Sequence, residues 1–278
     1  MDKDELKDLG IRLNDKIREA VDEGDFEGAL KICGTLPKDQ VFMLKGLRLV
    51  IEDLLSRAEK IFRREETTIS DHIIEALQKK DGDAVRRLLD KKEGDFLPLH
   101  DFYVETLATI FNWAYTTYGD DSLLEILKGS AEGQKSGFDA WEEMETEEFV
   151  RVTAFLVKSH MGKVTVEEDD EKFTFINDPC GSGGRMMRAG RFDGNGKFAR
   201  VKKAQPQTFN RENLPVYCAH CAVWNGIMTV KWYGRIHWAV QPPENPEDPC
   251  LMYMYKDRKS VPEKFYKGIG ITDSQIKR

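Results

Sequence analysis

The stretch that decides the fold, residues 163–178, reads KVTVEEDDEKFTFIND. Val164 and Val166 precede an acidic run, and Phe173 and Phe175 follow it, each pair separated by one polar residue. Such alternation over a few residues is typical of β-strands, and the polar interruption between them predicts a hairpin turn. The hairpin marks the point where a helical part of the chain gives way to a β-containing part.

The sequence before the hairpin has the period of amphipathic helices. Apolar residues recur at helical spacing across residues 41–62, and the segment 68–80 begins at residues that favour a helix N-terminus. Pro98 is predicted to open a further helix, with Gly119 as its stop. Residues 146–160 predict one more amphipathic helix before the hairpin.

After the hairpin, four short segments favour further strands because they combine β-branched and aromatic residues. They are PVYCAHC (215–221), IMTVKWYG (227–234), RIHWAVQ (235–241) and CLMYMYK (250–256). We therefore predict an α+β protein. A helical region, residues 1–162, packs on or is followed by a smaller, mostly antiparallel β region, residues 163–278, which carries a cysteine-rich metal site.

Composition narrows the classes of function. The chain has 278 residues, 40% of them hydrophobic, and a formal net charge of −7. The acidic charge lies before residue 161, while the remainder has a mild basic excess. No strongly basic face is indicated, so we expect no nucleic-acid partner, and the basic excess suits a small anionic substrate. Without an apolar leader or a run of about 20 apolar residues, we expect a cytoplasmic protein with no membrane contact; a homo-oligomer is allowed.

Four of the five cysteines follow residue 179, which is the first functional signal. Cys218 and Cys221 have the C-x-x-C spacing that lets two thiolates bind one tetrahedral ion. Cys180 is the expected third ligand, and His220, His237 and Cys250 compete for the fourth place. Thiolate ligands favour zinc or an iron–sulfur cluster over magnesium or calcium. We expect zinc, with manganese or iron as alternatives.

Three other interpretations of these cysteines stay open. The zinc site can be purely structural, the C-x-x-C pair can be redox-active, or the cysteines can be ordinary buried residues. A site with four protein ligands and no water favours a structural role, whereas an open position favours catalysis. Zinc with an open position lowers the pKa of its bound water to about 7.

The segment DPCGSGGRMMRAGR, residues 178–191, places glycines and arginines next to a cysteine. Its glycines allow close approach of a ligand to the backbone, and consecutive N–H groups can hold an anion. The segment matches neither a Walker loop nor a dinucleotide fingerprint. Ser182, Gly183 and Arg185 are therefore candidates for binding a substrate carboxylate; a turn with solvated arginines is the alternative.

Two histidines beside apolar helix faces are candidates for proton transfer. His100 and His160 would reach one pocket if their helices both cover the C-terminal sheet, and Tyr103 lies close to His100 in the sequence. They are the predicted catalytic groups. Each histidine alone is otherwise an ordinary core or surface residue.

The motifs DPCGSGGR, PVYCAHCA and GRIHW, over residues 160–270, resemble the L-2-amino-thiazoline-4-carboxylic acid hydrolase family. The resemblance implies metal-dependent hydrolytic opening of a thiazoline ring that bears a carboxylate. It assigns the cysteine motifs to Cys180, Cys218 and Cys221, and the carboxylate to Arg185. We accordingly predict a metal-dependent hydrolase or lyase that breaks a C–N or C–S bond in a small cyclic or sulfur-containing carboxylate. The alternative is a non-catalytic small-molecule-binding or sensory protein with a structural zinc site.

Overall fold

The computed structural model describes residues 11–34 and 36–276; the acidic opening segment, residues 1–10, lies outside them. The chain divides into two compact units, with the boundary between Glu93 and Gly94. The first unit is helical, and the second combines helices with a small antiparallel sheet. The predicted α+β class is confirmed. The helices between residue 94 and the hairpin belong to the same unit as the sheet.

Three helices and the start of a fourth form the first unit: α1 (Leu13–Asp22), α2 (Phe26–Cys33), α3 (Leu36–Gln78) and α4 (Gly82–Tyr118). The two helices predicted over residues 41–80 are thus one helix, α3. Thr67 and Thr68, expected near a helix start, instead donate their hydroxyls to backbone carbonyls four residues earlier. This local bond lets threonine sit inside a continuous helix.

Helix α4 crosses the boundary between the units and contains Pro98 in its interior, so the prediction that this proline opens a helix is wrong. A proline removes one backbone donor from a helix. The buried face of α4 further along offsets that loss, because Val104, Ala108, Phe111 and Ala114 all lie in the core of the second unit. Tertiary packing here outweighs the local signal.

Three more helices precede the hairpin: α5 (Asp120–Gly133), α6 (Lys135–Glu142) and α7 (Thr146–Ser159). Helix α5 buries Leu123, Leu127 and Ala131 completely against the core that α4 also enters. Within the described residues, no helix has the length and apolar character needed to cross a membrane.

The predicted hairpin is confirmed as strands β1 (Val164–Glu168) and β2 (Lys172–Asn177), in antiparallel register from Val164 opposite Asn177. After helix α8 (Gly183–Arg188), strands β3 (Arg200–Val201) and β4 (Leu214–Pro215) form a separate short pair. Strands β5 (Ala239–Gln241) and β6 (Cys250–Tyr255) complete a four-stranded antiparallel sheet in the order β1-β2-β6-β5.

The segment between β4 and β5 is helical, so the strands predicted over residues 215–221 and 227–234 are wrong. It runs through a 3₁₀ turn (Val216–Cys218), helix α9 (Ala219–Ala222), a π-helical turn (Val223–Ile227) and helix α10 (Met228–Tyr233). Its apolar residues are buried on several sides, a pattern that does not separate a core helix from a core strand. Helix α11 (Glu263–Gly268) follows β6.

Candidate metal centre and adjoining cleft

Four cysteines from three separate segments of the second unit line one small cavity. They are Cys180, Cys218, Cys221 and Cys250, and His220 lines the cavity with them. All four are free thiols. The cavity has a volume of about 30 Å³, which is enough for one ion or one water molecule and too little for a substrate with a ring.

The end of the sheet brings Cys180 and Cys250 together. Cys250 is the first residue of β6 and pairs with Asn177, the last residue of β2. The buried Asn177 side chain donates from Nδ2 to the Cys250 carbonyl oxygen at 3.1 Å, which fixes this end of the strand pair. Cys180 follows three residues later along the chain.

Helical spacing brings the other two cysteines to the same cavity. Cys218 ends the 3₁₀ turn and Cys221 lies in α9, three residues further on. Residues three apart share one face of a helix. The C-x-x-C motif is therefore presented by a helical segment, not by the strand that the sequence suggests.

The glycines after Cys180 are needed because the backbone passes directly over the sulfur atoms. A Cβ atom built on Gly183 would lie 2.8 Å from the Cys218 Sγ, and one built on Gly184 would lie 3.2 Å from the Cys180 Sγ. The Gly184 backbone N–H also donates to the Cys180 Sγ at 3.0 Å. Gly183 thus contacts a thiol, where the sequence predicts contact with a substrate carboxylate.

Burial favours the protonated form of three of these thiols, Cys218, Cys221 and Cys250. It raises the pKa of Cys221 to about 12 and lifts the pKa of Cys218 and Cys250 well above the ordinary thiol value. The neighbouring thiols add to each increase, because negative charges in one small space repel. A bound divalent cation reverses this balance, since a coordinating thiol loses its proton.

His220 is held in one tautomer. Its Nδ1 donates to the Tyr217 carbonyl oxygen at 2.6 Å, which leaves Nε2 as an acceptor, 3.4 Å from the Cys221 Sγ. Burial lowers the pKa of His220 to about 4, so the ring is neutral at pH 7. The ring also packs against Tyr217 and Trp224, with centroid distances of 4.6 and 4.7 Å. This packing leaves the imidazole little freedom to turn.

The cysteine cavity is not a preformed coordination shell. Across residues 11–34 and 36–276, no three His, Cys, Asp or Glu side chains stand together in an arrangement that would hold a metal ion. The donor chemistry nevertheless fits a thiolate-binding ion such as zinc, because four cysteines and one histidine line the same space. Ion binding there requires the thiols to lose protons and turn inward.

His237, one of the predicted ligands, lies in a different environment. Its Nε2 donates to the Glu142 carboxylate at 2.8 Å, and its ring stacks on Tyr233. It does not line the cysteine cavity; it lines a separate enclosed cavity with Arg235 and Arg258. This placement does not support His237 as a ligand of an ion at the cysteines. Cys250 lines the cysteine cavity instead.

A solvent-open cleft of about 490 Å³ adjoins the same glycine-rich segment. This volume is within the range of small-molecule sites. Its charged lining consists of carboxylates and guanidinium groups: Asp101, Glu105, Arg185, Arg188 and Arg191. Ser182 lines both the cleft and the cysteine cavity, so one loop forms a wall of each.

The arginines of the cleft are already paired. Arg185 makes a bidentate contact with Asp101, at 2.7 and 3.1 Å, and Arg191 pairs with Glu105. Arg188 pairs with Asp178. Arg185, the predicted carboxylate ligand, must therefore share its guanidinium with Asp101 if an anion binds. The cleft presents both signs of charge, where the sequence suggested positive charge alone.

Asp101 connects Arg185 to the two predicted catalytic histidines. Its Oδ1 accepts from the Nδ1 of His100 at 2.9 Å, and the Nε2 of His100 lies 3.0 Å from the Nδ1 of His160. The His100 side chain is 8% exposed, whereas that of Asp101 is 44% exposed, so the network runs from the cleft into the interior. Burial, followed by the charge of His100, lowers the pKa of His160.

The third predicted catalytic residue, Tyr103, lies apart from this network. It is half-buried on α4 beside the Phe102 ring and lines neither the cleft nor the cysteine cavity. Sequence reasoning gave Asp101 no role, although it directly follows His100, and left Cys250 as one of three options. The sequence signal that could have indicated a role for Asp101 is its position directly after His100.

Comparisons of the chain with protein-family models, with curated proteins and with solved structures give no match. The arguments about function therefore depend on the geometry of the cavity, the cleft and the histidine network.

Proposed function

We propose that this chain is a metal-dependent hydrolase or lyase that acts on a small carboxylate-bearing compound in the cleft. The observation that carries the proposal is the shared loop: Ser182 lines both the cavity of four cysteines and the cleft. An ion in the cavity would fix the loop that forms one wall of the substrate site.

Cys180, Cys218 and Cys221, with Cys250 and His220 as further donors, are the residues that would hold the ion. When bound, zinc supplies a positive charge and a rigid anchor for these segments. The Gly184 N–H already contacts the Cys180 sulfur, and Arg185 follows directly in the chain. The position of Arg185 in the cleft therefore depends on the position of Cys180.

The proton chemistry falls to the histidine network. Asp101 accepts the Nδ1–H of His100, and the Nε2 of His100 accepts from the Nδ1 of His160. Neither imidazole is among the residues that line the cleft, so a proton would pass between the cleft and the imidazole pair through Asp101, which does line it. In a hydrolytic ring opening, a water oxygen bonds to the ring carbon and its proton passes to the imidazole pair. The carbon–sulfur or carbon–nitrogen bond then breaks, and the departing atom takes that proton.

The charges of the cleft favour a substrate that carries both signs. A carboxylate would share Arg185 or Arg191, and a protonated amine or amidine would face Asp101 or Glu105. A cyclic compound such as 2-amino-thiazoline-4-carboxylate has this distribution, consistent with the family resemblance of the cysteine and glycine motifs. The cysteine cavity is too small for such a ring, whereas the neighbouring cleft has the volume to take one.

The test is turnover of 2-amino-thiazoline-4-carboxylate by zinc-loaded protein, followed by release of a free thiol or amine as the ring opens. His100→Ala should reduce the rate by about 100-fold or more, because a positioned acid–base group contributes about 10² to 10⁴. His72→Ala, at an exposed position of α3, is the matched control and should keep full activity. Wild-type protein that binds zinc but opens no carboxylate-bearing ring would contradict the proposal.

The second candidate is a non-catalytic small-molecule-binding protein with a structural zinc site. The small cavity lined by four cysteines and one histidine favours it, since structural zinc sites use four protein ligands and no water. Calorimetry distinguishes the two candidates. Binding of the thiazoline carboxylate that persists unchanged in His100→Ala, without turnover by the wild type, supports the binding protein.

A further inference from the structure

We propose that the first half of helix α3, residues 41–54, is the interface of a homodimer, in which the helices of two copies of this chain pack along one apolar stripe. The interface belongs to the first unit alone. It does not depend on the proposed activity, so either proposal can fail without the other.

The first half of α3 exposes a dense set of apolar side chains. Nine of its fourteen residues from 41 to 54 are large and apolar, and each is at least 50% exposed. They are Val41, Phe42, Met43, Leu44, Leu47, Leu49, Val50, Ile51 and Leu54. A helix segment of this composition is ordinarily buried, and a large exposed apolar patch marks a site of interaction.

Six of these side chains form one continuous stripe. At about 100° per residue, they fall within an arc of about 120° around the helix, centred on Leu47. They are Met43, Leu44, Leu47, Val50, Ile51 and Leu54. The four charged residues of the segment, Lys45, Arg48, Glu52 and Asp53, lie outside this arc. The stripe is therefore an apolar surface with charged residues on the other sides of the helix.

The spacing within the stripe is that of a coiled-coil seam. Its central residues alternate between steps of three and four along the chain: Leu44, Leu47, Ile51 and Leu54, followed by Ala58 and Ile61. Such alternation defines the a and d positions, at which a side chain of one helix inserts between four side chains of its partner. The sequence of α3 thus favours a second helix as the occupant of the stripe.

The second half of the same helix already packs on this side. Ile69 and Ala76 are buried there, at 6% and 7% exposure, and Glu66 pairs with Lys92 of α4 at 2.6 Å. Ile69 lies about five full turns after Ile51 and therefore on the same side of α3. One side of the helix is thus buried near its end and exposed near its beginning.

A second copy of the chain fits the stripe in area and in charge. With about 100 Å² exposed for each of the six side chains, the stripe offers about 600 Å² per copy and about 1,200 Å² per pair, the size at which stable specific interfaces begin. Two basic and two acidic residues leave the segment neutral, so two copies do not repel each other. An anionic lipid surface or a nucleic acid would instead require an excess of basic residues.

Sedimentation velocity on the full-length protein tests whether the dimer forms. Between about 1 and 100 µM, we expect the mass to rise from that of one 32.0 kDa chain towards that of two, because an interface at the small end of the stable range gives micromolar affinity. A chain that stays monomeric over this range would overturn the proposal.

Variants on two sides of α3 test which surface is used. Leu47→Gln and Ile51→Gln should each raise the dimer Kd at least about 100-fold, because each removes one apolar side chain from both copies. Leu49→Gln is the matched control: Leu49 is 53% exposed against 51% for Leu47, but it lies on the opposite side of the helix. It should dimerise as the wild type. Glutamine is a good helix former, so circular dichroism should show the wild-type helix content in all three variants.

Unchanged dimerisation in both Leu47→Gln and Ile51→Gln would refute this stripe as the interface. Should these variants lose helix content, cross-linking of mixed isotopically labelled and unlabelled wild-type chains decides instead: we expect links between the α3 segments of two copies, and links confined to other segments would contradict the proposal. Binding of a monomeric wild type to phosphatidylcholine vesicles, lost in Leu47→Gln, would assign the stripe to a lipid surface and overturn the dimer.

Discussion

Gly183→Ala is the most direct probe of how tightly the glycine-rich loop covers the cysteines. The added Cβ would lie 2.8 Å from the Cys218 Sγ, at least about 0.6 Å closer than the 3.4 Å of an ordinary contact. The Tyr217 ring lies 3.4 Å from the same point, so the methyl group cannot turn away from the sulfur without meeting the ring. The loop or the helical segment that carries Cys218 must move.

The expected cost follows from these contacts. Inserting a methyl group into a packed core costs about 1–3 kcal/mol, and replacing glycine by alanine in a helix returns about 0.5–1 kcal/mol. We therefore expect the free energy of unfolding to fall by up to about 2.5 kcal/mol. The same displacement should weaken zinc binding, because it moves the Cys218 sulfur.

Urea unfolding followed by tryptophan emission measures this change in the relevant unit, because all five tryptophans lie after residue 94. Gly129→Ala is the matched control: it lies inside α5, and nothing stands within 4 Å of its added Cβ. That variant should gain about 0.5–1 kcal/mol. If Gly183→Ala unfolds at the same urea concentration as the wild type and binds zinc equally well, the close contact between loop and thiol is refuted.

Three other outcomes are expected. Thr153→Val should lower the free energy of unfolding by about 1–3 kcal/mol, because the buried indole N–H of Trp238 donates to the Thr153 hydroxyl at 3.1 Å. Thr153→Ser keeps a hydroxyl and should retain most of that free energy in the same urea titration. Burial lowers the pKa of His160 in the folded protein below its ordinary value of 6.5. As the pH drops below about 6.5, the unfolded chain therefore binds a proton that the folded chain does not, and the free energy of unfolding should fall. His160→Gln should flatten that pH dependence. Asp101→Asn should lower the ring-opening rate by about 100-fold and change its pH profile, since it removes the carboxylate that orients His100, while zinc content stays at the wild-type level.

Periodic patterns predicted the parts of the fold that have one polar and one apolar face. The hairpin at residues 163–178 was identified because β1 and β2 alternate in a short, well-bounded segment. Helix α7 was found for the corresponding reason, with its buried residues at helical spacing.

The same reasoning failed where a segment is buried on several sides. Residues 216–233 are rich in β-branched and aromatic side chains, yet they form helical turns that enter two of the buried clusters of the second unit. Once both faces are apolar, the period disappears and only tertiary packing decides between helix and strand. The prediction that Pro98 opens a helix failed for a related reason, since the packing of α4 maintains the helix across this proline.

The candidate site was predictable in composition but not in connectivity. Clustering of Cys180, Cys218 and Cys221 after residue 179 pointed to a shared site, and the structure places them around one cavity. The choice between His237 and Cys250 depends on strand register: pairing of Asn177 with Cys250 sets Cys250 beside Cys180. Sequence spacing carries no information about that register.

The loop between β2 and α8 is shared by the cysteine cavity and the cleft. The Cys180 sulfur accepts the Gly184 N–H, and Arg185, one residue on, holds Asp101 through two hydrogen bonds. Asp101 in turn fixes the tautomer of His100. A movement of Cys180 is thus passed to the histidines through consecutive short contacts. An ion bound at the cysteines, as we propose, would control proton transfer in this way without touching the substrate, because it would determine the positions of Arg185 and Asp101.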